Sequence, residues 1–229
     1  MSLAGGKSRQ AKGYAAPKFR FSGPEGRSGP EACRVGAVVL AAGRGTRFGG
    51  EMPKALVRLG QRPLVAHAVA AATASGLRPV VVVVGYGAPD VAAAAGTLVA
   101  VVENPDWESG MAGSLRAAIA AVLSDEAVSA VAVALADQPR IGAEAYRRLA
   151  AAHREGAGLA VATYAGERGH PVLIGRSHFA EVMHLQGDEG ARALLTRHPV
   201  VDVDCDGTGE AVDVDTPADL AALESRLQL

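Results

Sequence analysis

The chain has 229 residues, of which 49% are hydrophobic and 21% charged, and its formal net charge is −1. This balance gives no broad electrostatic field, so neither nucleic acid nor a membrane surface is expected as a partner. Its apolar runs are far shorter than the roughly 20 residues that cross a bilayer. The 2 cysteines stand in no metal-binding spacing and indicate a reduced, cytoplasmic protein.

The start of the chain differs in composition from the rest. Residues 1–34 are rich in Gly, Pro, Ser, Lys and Arg and lack apolar periodicity. Such a segment buries too little apolar surface to offset the entropy lost on ordering. We therefore expect a disordered basic tail over residues 1–34 and one folded domain over residues 35–229.

The domain begins with alternating strand and helix patterns. The predicted strands of this part are 35–40, 79–84, 98–102, 130–136 and 159–164. The predicted helices between them are 62–75, 91–95, 114–123 and 142–155. This repeated β-α-β order predicts an α/β fold with a Rossmann-like, doubly wound, mostly parallel sheet. The last third is less regular, with predicted strands 172–174 and 200–203 and predicted helices 176–183, 189–197 and 217–227.

Polar and glycine-containing loops follow the first four predicted strands. They are the segments 40–54, 85–90, 103–110 and 137–139. Ligands of such sheets bind beyond the carboxyl ends of the strands. The sequence therefore predicts a ligand site at this edge of the sheet.

The first of these loops has the composition of a phosphate cradle. Glycines at 43 and 45 let backbone N–H groups approach an anion, and Arg44, Arg47 and Lys54 add positive charge. A Walker A motif is excluded because alanine follows Lys54. A dinucleotide-binding fingerprint fits poorly because its third glycine falls one residue late and the second strand ends in Gly85 instead of an acid.

Nucleotidyl transfer from a nucleoside triphosphate fits this loop better. That reaction needs a positioned triphosphate, charge neutralisation and a bridging divalent metal, usually Mg²⁺ bound by one or two carboxylates. Asp137 follows a buried predicted strand, and a second acid is available in the segment 213–217. Two other interpretations stay open at this point: Asp137 as a helix N-cap, and Asp213 and Asp215 as exposed acids of an edge strand.

Six segments together resemble a known family. They are 40–47 (LAAGRGTR), 104–115 (NPDWESGMAGSL), 137–139 (DQP), 169–171 (GHP), 187–192 (GDEGAR) and 213–219 (DVDTPAD). In this order they resemble the MobA-like NTP transferases, and among these the molybdenum cofactor cytidylyltransferases. The resemblance extends from about residue 35 to the C-terminus and implies a single Rossmann-like domain of the nucleotide-diphospho-sugar transferase type.

The resemblance implies roles for individual positions. Arg47, Lys54 and Asp137 would be catalytic, and Asp137 and Asp215 would bind Mg²⁺. For His170 two interpretations stay open: contact with an anionic acceptor, or a structural role in the turn 169–171. The nucleotide would lie against Leu40, Ala41, Ala42, Gly43, Arg44, Gly45, Gly85, Ser109, Gly110 and Ser114. The pair Ala41 and Ala42 before Gly43 suits CTP better than GTP, because guanylyl-transferring relatives usually carry two glycines there.

These observations lead to one expected function with alternatives. We expect transfer of CMP, or less favourably GMP, to a phosphorylated acceptor such as molybdopterin, with release of pyrophosphate and with a molybdenum hydroxylase as a potential partner. The seven-position step from Arg47 to Lys54 is longer than in molybdenum cofactor relatives. It is similar to the spacing in sugar-phosphate and polyol-phosphate nucleotidyltransferases, which stay an alternative acceptor class. A non-catalytic protein that binds and delivers the cofactor is the second alternative.

Overall fold

A computed structural model of the chain describes residues 33–49 and 52–228. Its strands are β1 (Arg34–Ala41), β2 (Arg58–Leu59), β3 (Arg62–Pro63), β4 (Val80–Val84), β5 (Ala100–Glu103), β6 (Val128–Leu135), β7 (Leu159–Tyr164), β8 (Glu167–Gly175) and β9 (Val201–Asp204). Its α-helices are α1 (Leu64–Ala74), α2 (Ala88–Ala95), α3 (Met111–Leu123), α4 (Ala143–Arg154), α5 (Phe179–Val182), α6 (Arg192–Arg197) and α7 (Pro217–Leu227). The predicted tail lies outside the described residues, except for its last two positions.

One seven-stranded sheet, in the order β5-β4-β1-β6-β8-β7-β9, forms the centre of the domain. Parallel pairs join β5 to β4, β4 to β1, β1 to β6 and β7 to β9. Within this seven-stranded sheet, β8 is the one strand that runs antiparallel to its neighbours, β6 and β7. The mostly parallel α/β sheet is therefore confirmed.

Helices cover both faces of this sheet. The side chains of Val80, Val82 and Val84 pack with α1, α2 and α4, whereas Val81 and Val83 pack with α3, α5 and α6. All five residues of β4 are buried, as expected for a central strand covered on both faces. This arrangement confirms the doubly wound prediction.

Several predicted boundaries were wrong. The helix predicted over 62–75 begins at Leu64, because Arg62 and Pro63 pair with Arg58 and Leu59 in a small hairpin. The strand predicted over 172–174 extends over Glu167–Gly175, and the helix predicted over 189–197 begins only at Arg192.

Within the described ranges, none of the helices is long and apolar enough to span a membrane.

Candidate functional site

A cavity of about 420 Å³ opens beyond the carboxyl ends of β1 and β6, and we call it the first cavity. One wall is the glycine loop that follows β1, and the floor contains Lys54 and Asp137. Trp107, Met111 and Asp188 contribute to the opposite side. The site therefore lies at the sheet edge that the strand-end loops predicted.

The loop holds its shape through one glycine and one buried lysine. Gly45 has φ +70°, and a Cβ added there would lie 2.3 Å from Cβ of Lys54. The backbone N–H of Lys54 donates to the carbonyl of Arg44 over 3.3 Å. Gly43 differs, because an added Cβ would meet nothing within 4 Å and the residue lines the cavity. A ligand can therefore approach the backbone closely at Gly43.

A charge cluster of two cations and two carboxylates lies beside this loop. Nζ of Lys54 donates to Oδ2 of Asp137 over 2.7 Å and makes a second, shorter ion pair with Oδ1 of Asp215. The other oxygen of Asp215 accepts from Arg47 over 2.8 Å. Only 9% of the Lys54 side chain is exposed, whereas 76% of Arg47 is exposed. The cluster thus joins a buried lysine to an arginine on the open loop.

Two local structures bring the carboxylates together. Asp137 follows β6, and its carbonyl accepts from the N–H of the fully buried Val214 over 2.9 Å. Asp215 stands directly before α7, where Thr216 and Asp219 form a reciprocal capping box. Residues distant in sequence therefore meet because a buried valine and a helix cap fix the segment that carries Asp215. The edge-strand interpretation of the segment 212–215 is wrong, because no strand forms there.

The environment sets the protonation states of the cluster. Burial alone would lower the pKa of Lys54, but the attraction of Asp137 and Asp215 outweighs it and raises that pKa above 10.5. The hydrogen bond from Lys54 lowers the pKa of Asp215, against a smaller opposing effect of desolvation. At neutral pH the lysine is therefore an ammonium and Asp215 a carboxylate.

A third acid lies next to this cluster in a different environment. Oδ1 of Asp213 accepts from Nε2 of Gln138 over 3.0 Å. Burial raises the pKa of Asp213, and the negative charges of Asp137 and Asp215 add to that effect. Asp213 therefore protonates more readily than an ordinary aspartate.

The donor set fits a divalent cation. Oδ1 of Asp137 is buried and has no hydrogen-bond partner within the described part of the chain. Asp215 provides a second carboxylate nearby, because Lys54 contacts both acids. Hard cations such as Mg²⁺ and Mn²⁺ prefer such oxygen ligands. Asp137 and Asp215 together could hold one of these ions.

The segment before α3 forms the far wall of the first cavity. Ser114 accepts from Nδ2 of the buried Asn104 over 3.1 Å, and Ser109 donates to the carbonyl of Asp106 over 2.7 Å. A Cβ added at Gly110 would lie 2.3 Å from the carbonyl carbon of Gly187. The segment 109–114 and the turn before α6 therefore pack directly against each other.

An aromatic group that the sequence did not predict lies beside the loop. The guanidinium of Arg44 lies 5.0 Å from the ring centroid of Tyr86, and Tyr86 lies 5.3 Å from Trp107 between ring centroids. Trp107 lines the first cavity and also packs on the core, so it forms part of the wall. Tyr86 had one available signal: it follows Gly85 directly after a buried strand.

A second cavity, of about 910 Å³, adjoins the first. The two cavities share Met111, Leu135 and Asp188 as lining residues. His170 lines the second cavity and is half-buried; burial lowers its pKa despite the attraction of Asp137. The imidazole is therefore neutral at pH 7 and can accept or donate a hydrogen bond.

The structure brings most of the predicted site residues together. Those that line the first cavity are Leu40, Ala41, Ala42, Gly43, Arg44, Gly45, Lys54, Gly110, Ser114 and Asp137. Arg47 and Asp215 join them through Lys54, and His170 lies in the second cavity. Gly85 and Ser109 do not line the first cavity; a Cβ at Gly85 would lie 2.6 Å from Cβ of Trp107. Gly85 thus lets the tryptophan pack against the loop.

Asp188 and Arg192 lie four residues apart, which is the spacing of an ion pair within one helix. They do not share a helix, because α6 begins at Arg192 and Asp188 lies in the turn before it. Asp188 instead lines both cavities, while Arg192 lines the second. No spacing rule could reveal this position, since it depends on how the turn packs against Gly110.

Comparison with known proteins gives relatives of this architecture. The chain is 37% identical over 193 residues to nicotine blue oxidoreductase of Paenarthrobacter nicotinovorans, covering 80% of this chain and 92% of that protein. It is 39% identical over 155 residues to bifunctional protein GlmU of Pelotomaculum thermopropionicum, covering 62% of this chain but only 30% of GlmU.

The chain is also similar to solved structures. The Mycobacterium sp. strain JC1 homologue of M. tuberculosis Rv0371c is 31% identical with a TM-score of 0.74, covering 86% of this chain and 98% of that one. Rv0371c of M. tuberculosis in complex with manganese is also 31% identical, with a TM-score of 0.69 and coverage of 84% and 98%. The family model of the MobA-like NTP transferase domain matches residues 37–203. The chain therefore belongs to the MobA-like NTP transferase family.

Proposed function

We propose that this protein is a metal-dependent nucleotidyltransferase that moves a nucleotidyl group, CMP in preference to GMP, from a nucleoside triphosphate to a phosphorylated acceptor. Pyrophosphate is the other product. Molybdopterin is the proposed acceptor, which makes a molybdenum hydroxylase the proposed recipient of the product. The observation that carries the proposal is the cluster of Lys54, Asp137 and Asp215, which adjoins the first cavity and lies close to the second.

Charge balance supports a requirement for a divalent ion. Lys54 and Arg47 already offset Asp137 and Asp215 through their ion pairs. A triphosphate bound against these carboxylates adds negative charge that Arg44 alone cannot balance. A divalent cation bound by Asp137 and Asp215, with Mg²⁺ as the proposed ion, would neutralise that charge and orient the phosphates. The manganese complex of Rv0371c is consistent with a divalent ion in this family.

The chain's own side chains then have distinct tasks. An ammonium has three N–H donors, and Lys54 uses two of them on Asp137 and Asp215. The third is available for a phosphate oxygen of the triphosphate. Arg47, on the exposed loop, stabilises charge as pyrophosphate leaves. Such preorganised positive charge is worth most where charge develops during the reaction.

The second cavity is the proposed acceptor site. It carries His170 and Arg192 and borders the first cavity at Met111, Leu135 and Asp188. An acceptor bound there would present its phosphate oxygen toward the α-phosphate of the nucleotide. Its volume, about 910 Å³, lies within the range typical of small-molecule sites.

Three other functions remain candidates, two of them on a specific observation. Similarity to GlmU and the Arg47–Lys54 spacing favour a sugar-phosphate or polyol-phosphate acceptor. The high coverage of nicotine blue oxidoreductase favours a reduction reaction in the same cavities. A protein that binds and delivers a finished cofactor would need the cavities but not the charge cluster.

A substrate panel tests these functions against one another. Each of the four ribonucleoside triphosphates is incubated with Mg²⁺ and with molybdopterin, a sugar 1-phosphate or a polyol phosphate, and pyrophosphate release is measured. We expect the fastest release with CTP and molybdopterin. Release with a sugar phosphate instead would reassign the acceptor. No release with any pair would contradict nucleotidyl transfer.

A further inference from the structure

Two histidines and a glutamate form a cluster whose members line neither of the two cavities described above. His178 precedes α5, Glu181 lies within α5, and His198 follows α6. One potential ligand atom from each residue lies within 4.8 Å of the other two. Within the described part of the chain, this is the one group of three or more His, Cys, Asp or Glu side chains with such spacing.

The three side chains are in close contact with one another, and Glu181 also has a partner outside the cluster. Nε2 of His198 lies 2.5 Å from Oε2 of Glu181, and the rings of His178 and His198 lie 4.7 Å apart between centroids. The other oxygen of Glu181 accepts from Arg197 over 3.2 Å. Arg197 also contacts Glu189 over 3.3 Å, so it retains a carboxylate partner if Glu181 turns away.

The cluster is separate from the proposed catalytic metal site. Arg176, two residues before His178, donates to the carbonyls of Val128 and Asp125 at the start of β6. Asp137 follows the other end of β6. Because a strand rises about 3.3 Å per residue, the two sites lie roughly 25 Å apart, at opposite edges of the sheet.

We propose that His178, Glu181 and His198 form a binding site for a borderline transition-metal ion such as Zn²⁺. Two imidazoles and one carboxylate are a ligand set that zinc uses, with a water in the fourth position. Zinc bonds of about 2.0–2.1 Å place tetrahedral ligands about 3.4 Å apart. Side-chain movements of about 1 Å would bring the three ligand atoms to that spacing. The side chains of Glu181 and His198 are 29% and 33% exposed, so solvent can reach the open position.

Such an ion would join α5 to a helix that borders the second cavity. It would tie α5 to the end of α6, while the start of α6 lines the second cavity at Arg192. The turn between these helices contains Asp188, which lines both cavities, and Gly187, whose carbonyl accepts from the N–H of Ala112 over 3.0 Å. A bound ion would therefore stabilise the wall that the two cavities share.

Metal titration of the full chain tests the proposal. Chelator-treated protein is titrated with ZnCl₂ by calorimetry, and Co²⁺ is added separately to record the visible spectrum of bound cobalt. We expect one zinc equivalent whose affinity falls at least tenfold in His178→Ala and in His198→Ala. His184→Ala is the matched control, because His184 contacts only the carbonyl of Ala180 among the described residues. Asp137→Asn should leave zinc binding at this site unchanged.

Two results would overturn the proposal. One is wild-type zinc affinity in both histidine variants, and the other is loss of the zinc equivalent in Asp137→Asn alone. If either histidine variant fails to fold, zinc-edge X-ray absorption of the wild-type protein decides. Two imidazole ligands on zinc support the site, and an all-oxygen shell contradicts it.

Discussion

Lys54 is the residue on which the candidate site depends. Its ammonium is buried and contacts two carboxylates, one from the middle of the chain and one from its C-terminal part. Removing a charge from such a group leaves the partner charges unbalanced, which costs more than the loss of an exposed ion pair. The same ammonium is the proposed donor to the triphosphate. Lys54 therefore links the folding of the site to its chemistry.

Lys54→Met should reduce turnover strongly. The variant keeps the side-chain length but leaves Asp137 and Asp215 facing each other without the cation between them. We expect kcat for pyrophosphate release to fall about 100-fold or more, as when a preorganised electrostatic group is removed. Arg147→Met is the control, because Arg147 forms an exposed ion pair with Glu144 away from the cavities. Equal kcat in Lys54→Met and the wild type would remove the lysine from the mechanism.

Two glycines of the same loop should respond differently to alanine. Gly43→Ala places a Cβ in open space within the cavity, so we expect unchanged thermal stability and a raised KM for the nucleotide. Gly45→Ala places a Cβ 2.3 Å from Lys54 in a left-handed backbone, so we expect lower stability and weaker activity together. Thermal unfolding and steady-state kinetics of both variants measure this difference. Equal stability losses would show that Gly43 is needed for folding and not for ligand approach.

Sequence patterns predicted the positive residues of the site more completely than its acids. The pattern Val-Asp-Val-Asp occurs at 201–204 and again at 212–215. In the first, Asp202 lies on an edge strand and pairs with the exposed Arg168. In the second, buried Val214 anchors the segment and Asp213 and Asp215 face Gln138 and Lys54. Only tertiary contacts distinguish the two, so spacing alone could not.

At the scale of elements, the start of α7 positions Asp215. Thr216 is the N-cap, Pro217 occupies the first turn, and the carboxylate of Asp219 accepts from the N–H groups of Thr216 and Asp215. These bonds satisfy N–H groups that a helix otherwise leaves unpaired. The motif DTPAD in the sequence is typical of such a start, so this element could be predicted with its function as a cap.

The cap should make stability depend on pH in the acid range. Hydrogen bonds from Thr216 lower the pKa of Asp219 below its ordinary value of 3.8. The stabilisation is complete above that value and is lost as the pH falls through the lower pKa of the folded state. We expect Asp219→Asn to be less stable than the wild type at pH 7. The difference should shrink below about pH 4.

Urea unfolding of both proteins from pH 7 to pH 3 measures this difference, with Asp202→Asn as an exposed control. A difference that stays constant with pH would contradict the role of the charged cap.

The full length of the antiparallel strand β8 could not be predicted from hydropathy. Its apolar part, Val172–Ile174, was predicted, but its polar first half was not. This polar half forms a strand because a two-residue turn at Ala165 and Gly166, with φ of +50° and +82°, brings it back alongside β7. A turn this short joins only antiparallel strands. The parallel strands of the sheet could be predicted from their continuous apolar runs, because strands that helices cover on both faces are apolar throughout.

For the whole molecule, two adjoining cavities and a charge cluster are the observations behind the proposed metal-dependent site for two substrates. A ligand that binds only the folded state stabilises it by about 2.7 kcal/mol at 100 times its Kd. For a domain of this size, we expect CTP with Mg²⁺ to raise Tm by about 5–10 °C. Differential scanning calorimetry measures this rise, and EDTA should abolish most of it. A rise of the same size in Asp137→Asn would place the metal elsewhere.

The most direct test of nucleotidyl transfer follows the phosphate atoms themselves. CTP labelled at the α-phosphate and CTP labelled at the γ-phosphate are each incubated with Mg²⁺, molybdopterin and the full chain. Our account predicts that the acceptor gains label only from the α-labelled nucleotide, that γ-label leaves as pyrophosphate, and that Asp137→Asn abolishes both. Asp202→Asn, with an exposed carboxylate on β9, should transfer label like the wild type. An acceptor that stays unlabelled with CTP and with every other nucleoside triphosphate would contradict the account.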